Sequence, residues 1–516
     1  MILAFAGLAL PATTIFVLTV GSIVIGRLGG FRLFAVVGLA ALTLALTGVW
    51  RVAEYVSVGL IVTVIIAVAV HFARLSPAAR RHYVKAIWVR CRWRSVCRNV
   101  GLSYRDRHIQ DKRHKTAALP VTRNLPALRR SEGRHRVRHP RVWFYPDEYG
   151  IVGRVTTIPG VGREEFDDHA QHLADAFRCA RVQVAQRKAG KLIIRGIVRD
   201  PLAEDLLPEQ VPAGTYSRSA DPGRPYLGLS EWGEHQHLRA PGRTGLLVGG
   251  EPGRGKSTLI NSLLMGWAGT AAVQFALADG KEGGDQDDWH QRAWLHCGRD
   301  LDDVIAMLSQ VHALMRARLK SVRAVTGRRN AWDAGPSEGW PLLVTVIDEC
   351  ATFLDVQAVA SDRDRKPKIL RIIELVGDLI RQGRSAMMFT ILATQKPSTD
   401  AVPSQLSANL GLRLCFGVKT VEAAITVLGA EIRDHESYSP VGLSHDDCHI
   451  GAMTTTIRTG GELFTRVKVP KITQEAAEQR AAQTAHLRRD PAEALAFATE
   501  LPQVPADISE LDEVTS

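Results

Sequence analysis

"LLVGGEPGRGKSTLINSLL", Leu246 to Leu264, decides the fold. Gly250-Glu251-Pro252-Gly253-Arg254-Gly255-Lys256-Ser257 fits the pattern GxxxxGK[ST] without a mismatch. An apolar run, "TGLLVGG", leads into it, and "STLINSLLMGW" continues as a helical pattern. Strand, glycine loop and helix in that order are what a phosphate cradle requires. The glycines let successive backbone N–H groups wrap phosphate oxygens, and the helix N-terminus adds positive potential. Residues 250–258, through Thr258, are therefore the candidate binding segment for ATP. Lys256 is placed to reach the β- and γ-phosphates, and the Ser257 hydroxyl to ligate Mg²⁺. Glu251, Pro252 and Arg254 occupy positions that tolerate most residues, and the pattern gives them no role.

Two further apolar runs complete the reading. "PLLVTVIDECATFLD", Pro341 to Asp355, reads as a strand buried on both faces that ends in an acidic pair. Asp348 is the candidate Mg²⁺ ligand, and Glu349 the candidate group that polarises the attacking water. "AMMFTILATQKPS" reads as a third strand, and its polar end, Gln395, is placed to sense the γ-phosphate or position the water. The predicted fold class is α/β, a P-loop NTPase domain on a parallel central sheet.

The first 73 residues are a different material. Residues 1–26, 33–50 and 55–73 are uncharged, as hydrocarbon-spanning helices require. They predict two or three transmembrane helices, the middle one short. The first stretch lacks a positive n-region and is too long for a cleaved signal peptide. Positive residues after the third stretch place the bulk of the chain on the cytoplasmic side of the cell membrane. Between residues 74 and 141 the chain carries 20 Lys and Arg against three acidic residues, a net +17, although the whole chain is only +12. This basic segment reads in part as a juxtamembrane helix on anionic lipid and in part as a linker able to touch nucleic-acid phosphates.

From about residue 142 the pattern turns globular. "VWFYPDEYGIVGRVTTIPG" and "KLIIRGIVR" read as strands with a helix, "REEFDDHAQHLADAFRC", between them. The predicted domains are a small α/β domain over 142–235, the ATPase over 236–470, and a C-terminal helix with an acidic tail over 471–516. Seven cysteines without a CxxC pair exclude a disulfide framework and read as reduced thiols. "KEGGDQDD" lacks calcium-loop spacing, and His235 and His237 have no metal-spaced partners. "WDAGPSEGW" and "DRDRKPK" read as loops.

The ordered set of P-loop, "IDE", "GRSAMMFTILATQKPS" and "SANLGLRLCFGVKT" resembles the motor domain of the FtsK/SpoIIIE family of DNA translocases. "QFALADGKEGG", "DVIAMLSQVHALMRARL" and "YLGLSEWGEHQHLRAPGRTGLLVGG" extend the resemblance over roughly residues 142 to 470. It implies a RecA-like core, a homo-hexameric ring around double-stranded DNA, and an arginine finger supplied by a neighbouring subunit. The candidates for that finger are Arg384 in "RQGRSA" and Arg413 in "NLGLRLCF".

The chain departs from chromosome-segregating members in its short linker. The segment after Val469 is also too small and too acidic for a sequence-reading winged helix. A membrane anchor with one compact motor is more similar to the TraB-like transfer proteins of actinobacterial conjugative elements. The alternatives are a segregation pump and, from another class, a type VII-like protein-export ATPase. The single P-loop counts against the latter.

Overall fold

The computed structural model describes residues 50–106, 136–217, 220–281, 286–445, 447–458 and 463–500. The first expected span, nearly all of the second, residues 107–135 of the basic segment and the acidic tail lie outside the described residues, as does the centre of "KEGGDQDD".

The chain forms two compact units. In the first, α1 (Trp50–Arg74) is long and apolar enough over Tyr55–Arg74 to cross a membrane, and almost wholly exposed. It is the one such helix among the described residues, so a multi-span anchor is not seen there. α2 (Pro77–Val100) follows at once. The corner between them is pinned by Arg80, whose guanidinium donates to the carbonyls of Phe72 (3.1 Å) and Ala73 (2.7 Å). These are orphan acceptors at a helix C-terminus. One face of α2 packs on the strand β1 (Arg141–Pro146): Trp93 meets Phe144 edge-on, and Arg90 lies 3.6 Å over Trp143. The strand β2 (Gly150–Thr156) completes the "VWFYPDEYGIVGRVT" stretch, which the Asp147–Gly150 turn divides.

The second unit holds the remaining elements. The single helix expected after residue 162 is two, α3 (Arg163–Asp168) and α4 (Ala170–Phe177). His169, at φ −103° and ψ 12°, ends one and starts the other while its Nδ1 meets the Glu165 carbonyl at 2.8 Å. Phe166, Leu173 and Phe177 are fully buried. The hairpin of β3 (Arg181–Lys188) and β4 (Lys191–Ile197) follows.

The motor sheet contains β5 (Tyr226–Ser230), β6 (His235–His237), β7 (Gly245–Gly249), β8 (Val273–Asp279), β9 (Leu295–Cys297), β10 (Leu342–Asp348), β11 (Met388–Thr394), β12 (Leu412–Phe416), β13 (Ala452–Thr455) and β14 (Thr465–Lys468). Their order is β9-β8-β10-β11-β7-β12-β13-β14-β5-β6. The six strands from β9 to β12 are parallel, and the four beyond pair antiparallel. The sheet is therefore mixed. The parallel half is what the apolar runs predict, since β7, β8, β10 and β11 are buried at every residue. The antiparallel pairing is not predicted from the sequence, because short edge strands such as "HQH" carry no apolar run. It takes in β5, which lies ahead of residue 236, and β6, which straddles it.

α5 (Lys256–Trp267), α6 (Leu301–Thr326) and α7 (Arg365–Gln382) cover the sheet, with α7 packed along α6. α6 buries Val304, Met307, Leu308, Val311, Leu314 and Met315, its predicted apolar face. α7 starts at Arg365, so most of "DRDRKPK" is the first turn of a helix and not a loop.

The C-terminal segment forms α9 (Gln474–Thr484) and α10 (Pro491–Glu500), after the short α8 (Val421–Leu428). It is tied to β8 through Gln274, which donates to the Leu487 carbonyl and accepts from the Arg489 N–H, both at 3.0 Å. Arg292, fully buried, also donates to Gln274 and to the carbonyls of Ala268, Thr270 and Val273. Burial lowers its pKa to about 10, so the guanidinium stays charged at neutral pH. A buried charge is tolerable when its donors are satisfied in this way.

Asp300 caps α6 by accepting from the N–H groups of Asp302 (2.9 Å) and Asp303 (3.2 Å). Asp300→Ala should cost about 1 kcal/mol, read as a lower urea midpoint of the unfolding transition.

Candidate active site

The site is the C-terminal edge of the parallel strands. Cα register places Asp279 opposite Asp348 and Thr394 opposite Gly249, so β8, β10, β11 and β7 end level with one another. Chain leaving that edge forms the P-loop after β7 and the acidic turn after β10.

The P-loop bends where its glycines permit. Gly255 has φ +108°, and a Cβ there would lie 2.9 Å from the Gly451 Cα, so only glycine fits. Lys256 is buried and its ammonium donates to the carbonyls of Gly250 (2.7 Å) and Glu251 (3.0 Å). The amine thus rests inside the loop, one side-chain rotation from the space that the loop surrounds. Pro252 and Gly253 are exposed. Arg254, silent in the sequence pattern, has a structural partner. Its guanidinium donates to the Ser444 carbonyl at 2.5 Å and lies 3.4 Å from the Asp447 carboxylate. Its own carbonyl accepts from Gly451 N–H at 3.1 Å. The P-loop is therefore buttressed by the 444–451 loop on the antiparallel side.

Asp348 ends β10 almost fully buried. Glu349 follows in the left-handed region at φ 43°, unusual for a residue with a side chain and costing about 1 kcal/mol. The Cys350 N–H donates to the Ala393 carbonyl at 2.8 Å, which locks this turn onto β11. The strained turn carries the Glu349 carboxylate to the end of β11. There it accepts from the Gln395 N–H (3.0 Å) and the Thr394 hydroxyl (3.2 Å). Gln395 thus enters the site through its backbone. Cys350 lies beneath, and burial beside Glu349 and Asp348 pushes its thiol pKa well up, so it adds no charge.

Gln286 was missed by the sequence reading. Its side chain is fully buried, its Nε2 faces the Asp348 carboxylate at 3.4 Å, and its N–H donates to Asp279 at 3.1 Å. One residue therefore separates two neighbouring buried carboxylates. No local signal marks a glutamine inside an acid-rich loop. The donor set suits a hard cation, because the carboxylate of Asp348 and the hydroxyl of Ser257 are oxygen ligands. No cluster of three or more His, Cys, Asp or Glu occurs among the described residues. Mg²⁺ held between a nucleotide and one or two protein oxygens needs none.

No protein-family model matches the chain. The DNA translocase FtsK of Vibrio parahaemolyticus is 24% identical over 358 residues, which is 60% of this chain and 33% of that protein. The chain is thus similar to DNA translocases of the FtsK/SpoIIIE family. It spans about a third of the length of that curated relative. Among solved structures, the pCW3 conjugation coupling protein TcpA is 15% identical, covering 70% of this chain and 94% of that one, with a TM-score of 0.43. The cytoplasmic domain of the Thermomonospora curvata type VII secretion ATPase EccC is 19% identical, covering 57% and 34%, with a TM-score of 0.41.

The two arginines that the FtsK/SpoIIIE resemblance singled out sit differently. Arg413, half-buried on β12, donates to the carbonyls of Ser407 (2.7 Å) and Val427 (3.3 Å) of its own chain. Arg384 is exposed in the turn Gly383–Ala386 that precedes β11. It lies at the end of β11 away from Glu349, about 20 Å off at 3.3 Å per residue. That turn is braced by the fully buried Arg318, which donates to the Ala386 carbonyl at 3.2 Å and stacks on Trp340.

Arg254→Ala should loosen the 444–451 loop while leaving β10 and β11 protected. Hydrogen exchange read by mass spectrometry should show faster exchange in the peptides covering that loop, with strand peptides unchanged.

Proposed function

We propose that the chain is an ATPase that moves double-stranded DNA, anchored in the cytoplasmic membrane by its N-terminal apolar helices and serving conjugative transfer of a plasmid or integrative element. The observation that carries the reading is the Glu349 carboxylate held at the end of β11, beside Asp348 and level with an intact P-loop. Homology to FtsK supports duplex DNA as the substrate, and the apolar helix ahead of the motor supports a membrane anchor.

In this reading ATP binds against the loop 250–258, and the Lys256 ammonium leaves the carbonyls of Gly250 and Glu251 for the phosphate oxygens. Ser257 and Asp348 hold Mg²⁺, which when bound neutralises charge on the phosphates. Glu349 accepts a proton from the attacking water, and its two hydrogen bonds from Gln395 and Thr394 aim it. Gln395, at the strand end, links the γ-phosphate to the backbone of β11. Arg384 is the better finger of the two candidates. It is exposed and remote from its own site, as a residue acting on a neighbour must be, whereas Arg413 is bonded to its own backbone. A homo-hexameric ring would bring each Arg384 to the next subunit's nucleotide.

Purified full-length protein should hydrolyse ATP faster with double-stranded DNA, and Lys256→Ala should abolish this. An identical rate with and without duplex would end the translocase reading. Glu349→Gln should keep nucleotide binding and lose turnover by about 10²-fold or more. Arg384→Ala should lose about 10³-fold. Mixing the two inactive variants should restore part of the activity, because some interfaces regain both groups. No recovery would place the finger elsewhere.

A further inference from the structure

Helix α2 buries one face, with Ala79, Ala86, Val89 and Trp93 turned inward. Its opposite face is exposed at Arg81, Val84, Ile87, Cys91 and Arg94, a spacing of three or four residues that makes one continuous stripe. The stripe has an apolar centre. Val84 is 74% exposed and Ile87 48%, and Cys91 lies one turn further on. At 100° per residue, Arg81 and Arg92 flank that centre on one side and Arg94 on the other. The helix contains no acidic residue over its 24 positions. It also follows α1 across a corner that Arg80 pins.

We propose that this outer face of α2 lies in the headgroup layer of an anionic bilayer, with Val84, Ile87 and Cys91 dipping toward the acyl chains and the arginines on lipid phosphates. The inference rests on the reading of α1 as a membrane anchor. Flanking arginines around an apolar centre are the pattern of an in-plane interfacial helix. A DNA backbone would reward the arginines but offers nothing to Val84 and Ile87. The basic segment's two readings therefore separate here: α2 belongs to lipid. The consequence is mechanical, since α2 would hold the first strand it packs on, β1, close to the membrane surface.

The test uses the full chain in vesicles of phosphatidylcholine with phosphatidylglycerol, in phosphatidylcholine alone, and in detergent. Cys179, Cys297 and Cys448 are replaced by Ala, and a nitroxide is placed on native Cys91, or on Val84→Cys or Ile66→Cys with Cys91→Ser. Collisions with oxygen and with a water-soluble nickel complex report depth. The expected result is that Val84 and Cys91 labels are shielded from nickel several-fold in the anionic vesicles, and less in phosphatidylcholine alone. Arg81→Glu with Arg94→Glu should remove the shielding. Labels equally open in anionic vesicles and detergent would overturn the proposal. Shielding that appears only with added duplex DNA, or is already complete in detergent, would overturn it in favour of nucleic acid or a second copy. The Ile66 label separates the two failures. If it reads bilayer depth while Val84 is open, the anchor stands and this inference falls. If it is water-exposed in vesicles, the anchor itself falls.

Discussion

The hydrogen bond from the Gln395 N–H to the Glu349 carboxylate joins two neighbouring parallel strands at their chemical ends, and the site depends on it. It forms only because β10 and β11 run parallel in a register that brings Ile347 opposite Leu392. It also needs Glu349 to accept a left-handed backbone, so local strain is exchanged for a fixed carboxylate. The buried strand faces hold that register. A slip of one residue would turn Thr345 and Thr390 to the opposite faces and misplace every side chain at the edge.

Buried polar groups specify the surroundings in the same way. Arg292, Gln274 and the C-terminal segment form one satisfied network across β8, and Arg318 braces the turn before β11 through Ala386. Glu231, nearly fully buried, accepts from the Gln183 side chain of β3 and from the Arg466 N–H of β14, which links the hairpin to the antiparallel half of the motor sheet. Burial raises the Glu231 pKa despite Arg181 and Arg466 nearby. These groups act where helices and loops must be held against the sheet at one angle, a task that apolar contact alone does less selectively.

Much of this was legible in the sequence because it rests on local pattern. The P-loop, the strands ending in Asp348 and Thr394, and the apolar face of α6 are each written in one continuous stretch. What escaped depends on chain distant in sequence. Gln286 matters because β8 and β10 are neighbours in register, and Arg254 because a loop nearly two hundred residues later returns to the P-loop. The antiparallel half of the sheet escaped because three- to five-residue edge strands lack enough residues to show a period. The break at His169 escaped because the apolar spacing runs on through it.

In the proposed function, energy released at Lys256 is spent on moving duplex DNA. A triplex-displacement assay tests that most directly. Full-length protein in a lipid bilayer is given ATP and a linear duplex carrying a bound third strand. The third strand should be released in an ATP-dependent way, and Lys256→Ala protein should release none. Steady ATP hydrolysis by the wild-type protein with the third strand left in place would contradict it.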